Sequence, residues 1–488
     1  MILALILIPT VAGALSFFIR RDEPRRALLM MTALAHAALT ACAWFRELPP
    51  ALNGWLALDA MGLLFLTITS ALFLVAAIYA VGYLHREGLG RHKDFEEGMF
   101  FTNSPSSIFT GCLLLFLATM TLVTVSHHFG LLWVAIEATT LASAPLIFFH
   151  RHHRSLEATW KYLLICSVGI ALALLGNFFL AVAAADHGDE AMTVRALLAH
   201  SANLNVPWLK AAFLLFLVGY GTKMGLAPMH TWLPDAHSEA PSVVSALLSG
   251  TLLNCSFVGI LRAQQVLVAA GQAEFGQELL IGFGLLSMLV AGIFILGQSD
   301  YKRMLAYSSV EHMGILSLGI GLGGAATFGA MLHAVNHSVA KGMLFLVAGN
   351  IVAAYQTKST DAVRGVSRLL PVSGALWLMG VLAITGSPPF GPFLSEFTIL
   401  KAALDGGHSF IAISYLALLA LIFVGMITAA LRMAQGAPAE ANATPARESW
   451  LAIAPPAALA MATLVLGLYL PPALSEALHK AAQLLGGP

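Results

Sequence analysis

Runs of about 20 predominantly apolar residues, each long enough for one helical crossing of a bilayer, recur along the whole chain. Fourteen can be counted, at about 1–19, 27–45, 58–84, 107–125, 129–149, 159–184, 207–227, 242–262, 278–297, 303–322, 325–354, 371–404, 409–433 and 450–470. With 58% hydrophobic and only 10% charged residues, such a chain reads as an all-α polytopic membrane protein of about 14 transmembrane helices, forming a single transmembrane domain over 1–488. The 25 Lys and Arg balance the 25 Asp and Glu, so charge offers no basis for a nucleic-acid partner.

Orientation follows from the basic residues between runs. One side receives Arg20, Arg21, Arg25, Arg26, Arg86, Arg91, Lys93, Arg151, Arg154, Lys161, Lys302, Arg303, Lys358, Arg364, Arg368, Arg432 and Arg447. The other receives only Arg46, Arg195, Lys210, Arg262 and Lys480. The positive-inside rule makes the first side cytoplasmic and puts both termini outside, as in a bacterial-type inner membrane. The N-terminus has its arginines after the apolar run, as a retained helix does, instead of the basic start of a secretory signal. Cys42, Cys112, Cys166 and Cys255 stand far apart inside apolar segments with no CxxC spacing, which supports neither a disulfide framework nor an iron–sulfur or zinc site and suggests small core residues. The stretch 434–449 is linker-like, and no loop is long enough for a soluble domain.

Two runs contain breaks. In the seventh, Pro228 and Pro234 follow Lys223; in the twelfth, Gly386-Ser387-Pro388-Pro389 precedes Glu396. Unwound backbone at membrane depth survives only where it is buried in protein or lines a watery cavity. Broken helices five runs apart predict an inverted repeat of two five-helix units, 107–262 and 278–433.

A lysine at the centre of a membrane helix costs roughly 2.5 to 3.5 kcal/mol on insertion scales, so Lys223 must face protein or water, pair with an acid, or give up its proton. Glu137, in LLWVAIEATTLASAPLIFF, is a candidate partner. The pair reads either as a static tie between helices or as a proton switch; buried ion pairs stabilise poorly, which favours the switch. Glu311 and His312 begin the tenth run, and His333, His337 and Lys341 share one helical face at i, i+4 and i+8. Helix-spaced histidines suit metal binding, structural hydrogen bonding or a proton relay. No acid or thiol accompanies them locally, and the relay is preferred. Glu396 is a functional candidate, whereas Lys401, nearer a helix end, snorkels.

Three other signals are discounted. Gly319, Gly321 and Gly324 match G-x-G-x-x-G, but no strand precedes them, so they read as turn or packing glycines. The run from His150 to Arg154 reads as a topological basic loop or, more weakly, a lipid-headgroup contact. His127 and His128 read as exit groups or solvated surface.

The stretches WLALDAMGLLFL, GTKMGLAPMHTWLPDAHSEAPSVVSALLSGTLLN, YSSVEHMGILSLG, HAVNHSVAKGMLFLVAGN and GSPPFGPFLSEF resemble antiporter-like proton-pumping subunits of respiratory complex I. They are more similar still to those of membrane-bound hydrogenases, particularly the F subunit of hydrogenase-4 and formate hydrogenlyase complexes. The resemblance implies fourteen helices with two inverted five-helix units. It makes Glu137 the modulator of the proton-carrying Lys223 and Glu396 the exit group. His312, His333, His337 and Lys341 become members of a hydrated axis, and His230, Asp235 and His237 a polar connection after the break. Where complex I subunits often carry a lysine in the eighth helix, this chain has Asn254, which cannot titrate. The chain also stops about eighteen residues after its last apolar run, like the shorter members of the family.

The expectation is a proton-translocating subunit with no cofactor of its own and no catalysis alone. It would work beside membrane and peripheral partner subunits that hold iron–sulfur clusters and a metal centre or quinone. The alternative is a cation/proton antiporter module or the membrane subunit of an inorganic-carbon uptake complex.

Overall fold

The computed structural model describes residues 1–87, 90–185, 192–436 and 448–487. The linker-like stretch falls largely on 437–447, and with Arg447 it lies outside the described residues.

The apolar runs fall in helices. The first three are α1 (Ile2–Phe18), α2 (Asp22–Ala43) and α3 (Ala60–Arg86). A short antiparallel pair follows, β1 (Arg91–Lys93) with β2 (Phe100–Thr102), which the helical reading did not foresee. Then come α4 (Ser106–Val125), α5 (Phe129–Ile147), α6 (His153–Ala183) and the short α7 (Val194–Ala199). The broken seventh run is α8 (Val206–Met224) and α9 (Trp232–Glu239). The eighth is α10 (Ser242–Leu247), a π turn over Leu248–Leu252, and α11 (Leu253–Ala269). Next are α12 (Ala273–Ile295), α13 (Tyr301–Leu322), α14 (Ala325–Tyr355) and the one-turn α15 (Val366–Leu369). The broken twelfth run is α16 (Pro371–Ile384) and α17 (Gly391–Asp405), followed by α18 (Ser409–Ala434), α19 (Trp450–Leu468) and α20 (Pro472–Gln483). Eleven of the described helices are long and apolar enough to cross a membrane, and the protein is an integral membrane protein. Two shorter apolar helices are Ile2–Phe18 and Pro371–Ile384.

Helix burial grades from the centre outward. The Ser242–Ala269 helix is enclosed throughout its apolar window, whereas only 22% of that of Ser409–Ala434 is buried, as expected where apolar side chains meet lipid. Loops assigned by charge to one side meet each other. Arg154 pairs with Asp94 at 2.8 Å, and Lys358 with Glu239 at 2.7 Å and Glu96 at 3.3 Å. At the opposite face Leu56 bridges Ser126, and His128 bridges Thr193.

Both breaks satisfy their freed backbone groups internally, which is the condition for unwound backbone at this depth. Helix α8 ends on Gly225, whose φ of 86° is accessible because glycine has no Cβ. Trp232 Nε1 then donates to Thr222 O at 2.8 Å, and Ala227 N to Ser287 Oγ at 3.0 Å. In the twelfth run Gly386 has φ 66°, and a Cβ there would strike the Glu396 carboxylate. Asn336 Nδ2 donates to Gly391 O at 2.7 Å, tying the break to α14.

The glycines of the discounted G-x-G-x-x-G match are packing and turn residues, Gly324 having φ 52° at the start of α14. Gly319 faces Ala330 and Ile399, and Gly321 faces Gln277 and Ile281. Cys112, Cys166 and Cys255 are buried, but Cys42 is exposed on α2 and departs from the core assignment.

Candidate functional site

Lys223 is completely enclosed near the C-terminal end of α8. Its ammonium donates to Ile136 O at 2.9 Å and to Thr140 Oγ1, both on α5, and lies 5.9 Å from the Tyr162 ring centre. Glu137 is half-buried on the flank of α5. Thr140 Oγ1 donates to its Oε2 at 3.1 Å, and Ser167 Oγ on α6 to its Oε1 at 3.1 Å. Glu137 and Lys223 are therefore joined through Thr140 and make no direct ion pair.

A second buried lysine docks similarly. Lys341 on α14 donates to Leu305 O at 2.6 Å and to Ser308 Oγ on α13. One turn further along α13 stand Glu311 and His312, both buried, with His312 Nε2 3.9 Å from Glu311 Oε2. His312 Nδ1 lies 2.9 Å from His333 Nε2, and His333 Nδ1 lies 2.9 Å from Ser395 Oγ on α17. The His337 ring centre is 5.1 Å from that of His312, and its ring nitrogens have no hydrogen-bond partner among the described residues. Glu396 follows Ser395 and is buried, with Oε1 likewise unpartnered. It lines a cavity of about 210 Å³ with Thr385, Gly386, Phe393 and Leu416. Buried polar groups are normally hydrogen-bonded, so these atoms mark places for ordered water.

Asn254 donates to Gly250 O at 3.0 Å and to Ser338 Oγ at 2.7 Å. The π turn just before it sets Ser249 Oγ 2.8 Å from Ser309 Oγ on α13. Such turns are rare in helices and frequent at functional sites. The non-titrating position is thus wired to α14 beside His337.

Ligand atoms of His312, His333 and Glu396 lie within 4.8 Å of one another, a spacing within reach of a metal ion. Two of its imidazole nitrogens, His312 Nδ1 and His333 Nε2, already bond to each other, while His312 Nε2 and Glu396 Oε1 have no hydrogen-bond partner among the described residues.

The predicted polar connection divides. His237 is fully buried, its ring stacked 5.2 Å from Phe345, while His230 packs against Tyr307 at 6.1 Å. Asp235 belongs to a surface network with Lys161 at 2.8 Å and Arg303 at 2.7 Å. Lys401 is exposed and pairs with Asp405 at 2.8 Å.

Other groups escaped the sequence reading. A cavity of about 500 Å³ opens on the basic face, lined by His150, His152, Arg154, Glu239, Lys302 and Lys358 among others. Three residues of the basic run at 150–154, His150, His152 and Arg154, thus face this cavity. Lys302, assigned to a loop, is buried in the first turn of α13 and donates to Ser238 O at 2.9 Å and Ala240 O at 2.6 Å. Arg262, also assigned to a loop, lies fully buried within α11 and grips Asp59 at 2.6 and 2.8 Å. His127 is not solvated surface: its Nε2 is 3.3 Å from Arg262 Nη2. Burial pushes the Asp59 carboxyl up, but Arg262 overcomes this and holds it well below the usual range. Burial first, then the Arg262 charge, lowers His127 to about 4. His128 caps α5 by accepting from Gly130 N at 3.1 Å. The buried His36 ties α2 to Ser70 at 2.8 Å and Thr121 at 2.9 Å.

A membrane bundle with two interrupted helices and enclosed lysines, histidines and glutamates has the character of an antiporter-like membrane subunit. Residues 126–422 match the family model described as "NADH:quinone oxidoreductase/Mrp antiporter, TM". The chain belongs to that family. It is 36% identical over 452 residues to a hydrogenase-4 component F homolog of Methylacidiphilum infernorum, covering 90% of each chain. It is 29% identical over 375 residues to hydrogenase-4 component B of Escherichia coli, covering 74% of this chain and 53% of that longer one. A chain of the membrane-bound sulfane sulfur reductase, an archaeal respiratory membrane complex, superposes with a TM-score of 0.87 at 20% identity, covering 99% of this chain and 97% of that one. That likeness concerns the fold.

Proposed function

We propose that the protein is the proton-translocating membrane subunit of a hydrogenase-like or complex I-like oxidoreductase. The observation that carries this reading is the enclosure of Lys223, Lys341, Glu311, His312, His333, His337 and Glu396 inside the helix bundle, which we read as one proton path. Ionisable groups at membrane depth are costly and mark ion pathways and proton relays. The bundle is read as fourteen crossings in two inverted five-helix units, with both termini outside a bacterial-type inner membrane and the basic face cytoplasmic.

On this reading the basic-face cavity takes up protons and the axis carries them through the lysines and histidines. Glu396 releases them toward its flanking cavity. Asn254 and Ser338 orient water where no group titrates. A neighbouring subunit shifts Glu137 and thereby the proton affinity of Lys223. The electron-transfer chemistry belongs to partner subunits holding iron–sulfur clusters and a metal centre or quinone, and this chain is not catalytic alone.

The test is redox-driven proton uptake by the whole complex in sealed vesicles. Lys223→Ala should abolish pumping, and near-normal pumping would overturn the reading. The same axis would serve a cation/proton antiporter module, which the Mrp part of the family description favours, or the membrane subunit of an inorganic-carbon uptake complex. Co-purified subunits separate these. Hydrogenase or quinone-reductase partners support the first reading; several small antiporter subunits, or a large zinc-containing soluble partner, support the second.

A further inference from the structure

Both contacts that hold the Lys223 ammonium come from one turn of α5, the carbonyl of Ile136 and the hydroxyl of Thr140. Thr140 also follows Glu137 by three residues, so the two side chains share a helix face, and its hydroxyl donates to Glu137 Oε2 at 3.1 Å. A hydroxyl has one proton and two lone pairs. While that proton points to Glu137, only lone pairs remain for Lys223, and the arrangement suits an ammonium. Glu137 is half-buried and held on its other oxygen by the exposed Ser167, whereas Lys223 is enclosed. Whatever acts on Glu137 from the flank meets the lysine across this hydroxyl.

We propose that Thr140 is the positioning residue that transmits the charge and position of Glu137 to Lys223. When Glu137 is neutralised or drawn outward, the hydroxyl loses its acceptor and turns toward the lysine, whose amine lone pair accepts it once the ammonium proton has moved into the axis. When Glu137 returns as a carboxylate, the hydroxyl swings back and Lys223 recovers a proton from the uptake side. One proton enters and one leaves Lys223 in each cycle, and Thr140 keeps its own. The proposal rests on the Glu137 and Lys223 reading above.

The test measures redox-driven proton uptake and electron-transfer rate in vesicles containing the whole complex. Thr140→Val should lower pumping roughly tenfold, the effect of one lost charge-assisted hydrogen bond. Thr140→Ser, which keeps the hydroxyl, should stay within about twofold of the parent. Combining Thr140→Val with Glu137→Gln should cost no more than the worse single change, because both cut one connection. Pumping by the valine variant at the parental rate, a serine variant as poor as valine, or losses that multiply in the double variant would each overturn the proposal. If the valine variant does not assemble, Thr140→Ala is read against the same outcomes. Inactive Lys223→Ala with fully active Thr140→Val would remove only the role of Thr140, whereas active Lys223→Ala would remove the underlying reading.

Discussion

His312 Nδ1 lies 2.9 Å from His333 Nε2, so α13 and α14 meet through two buried imidazoles as well as through Lys341. With Ser395 Oγ 2.9 Å from the far nitrogen of His333, the contact runs on to the helix that carries Glu396. His333→Leu interrupts that path at its middle. Proton uptake by the complex should fall by about 10²-fold or more, the usual weight of a positioned proton-transfer group. Subunit content measured on the same membranes should stay unchanged. Full pumping in this variant would show that the file does not carry protons.

Arg262 is fully buried and its bidentate partner is Asp59 at the start of α3. Removing one partner of a buried pair leaves an uncompensated charge, at a cost of about 3–5 kcal/mol. Asp59→Asn is expected to lower the thermal stability of the detergent-solubilised protein sharply. Replacing both residues with apolar ones should cost less than Asp59→Asn alone, and melting curves of the three variants check the order.

His127, beside Arg262, has its pKa lowered to about 4. Below the ordinary value near 6.5, the unfolded chain binds a proton there that the folded protein does not. Its stabilising contribution is therefore complete above about pH 6.5 and is lost as pH falls toward 4, by up to about 1.4 kcal/mol per pH unit. Asp59, held low by Arg262, keeps its contribution through that window and loses it only at still lower pH. His127→Gln should flatten the pH dependence of the melting temperature between pH 6.5 and 4.5, with equal slopes in both proteins counting against the assignment.

Gly467 on α19 packs against the backbone of the twelfth-run break. A Cβ there would meet Pro389 O, and Phe390 C at 2.5 Å. Backbone cannot yield as a flexible side chain does, so Gly467→Ala should displace the break and with it Glu396. The expected result is a severalfold loss of proton uptake without any titratable group being changed, measured in the vesicle assay.

Much of the scaffold was legible because membrane constraints act on local sequence. The apolar runs fall in helices because backbone polar groups in lipid must be satisfied within the segment. The breaks after Met224 and after Ile384 sit where proline and glycine clusters stop that pattern. The β1–β2 pair was not legible, since three-residue strands in a polar loop lack the length to show alternation.

At the site, residue identity was legible and pairing was not. Lys223, Glu137, Lys341, Glu396 and the three axis histidines stand out because charge and imidazole are costly among apolar neighbours. That rule marks titratable groups and passes over hydroxyls, so Thr140, Ser308 and Ser395 went unnoticed although they hold those groups. The charge count likewise did not foresee the burial of Arg262 and Lys302, because counting basic residues near helix ends does not distinguish a solvated arginine from one enclosed with an aspartate 203 residues away.

The sequence by itself determined that this chain spans a membrane, where its helices are interrupted, and which costly groups it carries inside, because each follows from the free energy of placing a side chain or backbone group in hydrocarbon. Only the tertiary structure decided that Glu137 reaches Lys223 through Thr140, that Glu396 comes within 4.8 Å of two histidines from other helices, and that Asn254 is bonded to Ser338. Those contacts depend on which helix faces meet, and a packing choice among many similar apolar surfaces leaves no local trace in composition or spacing.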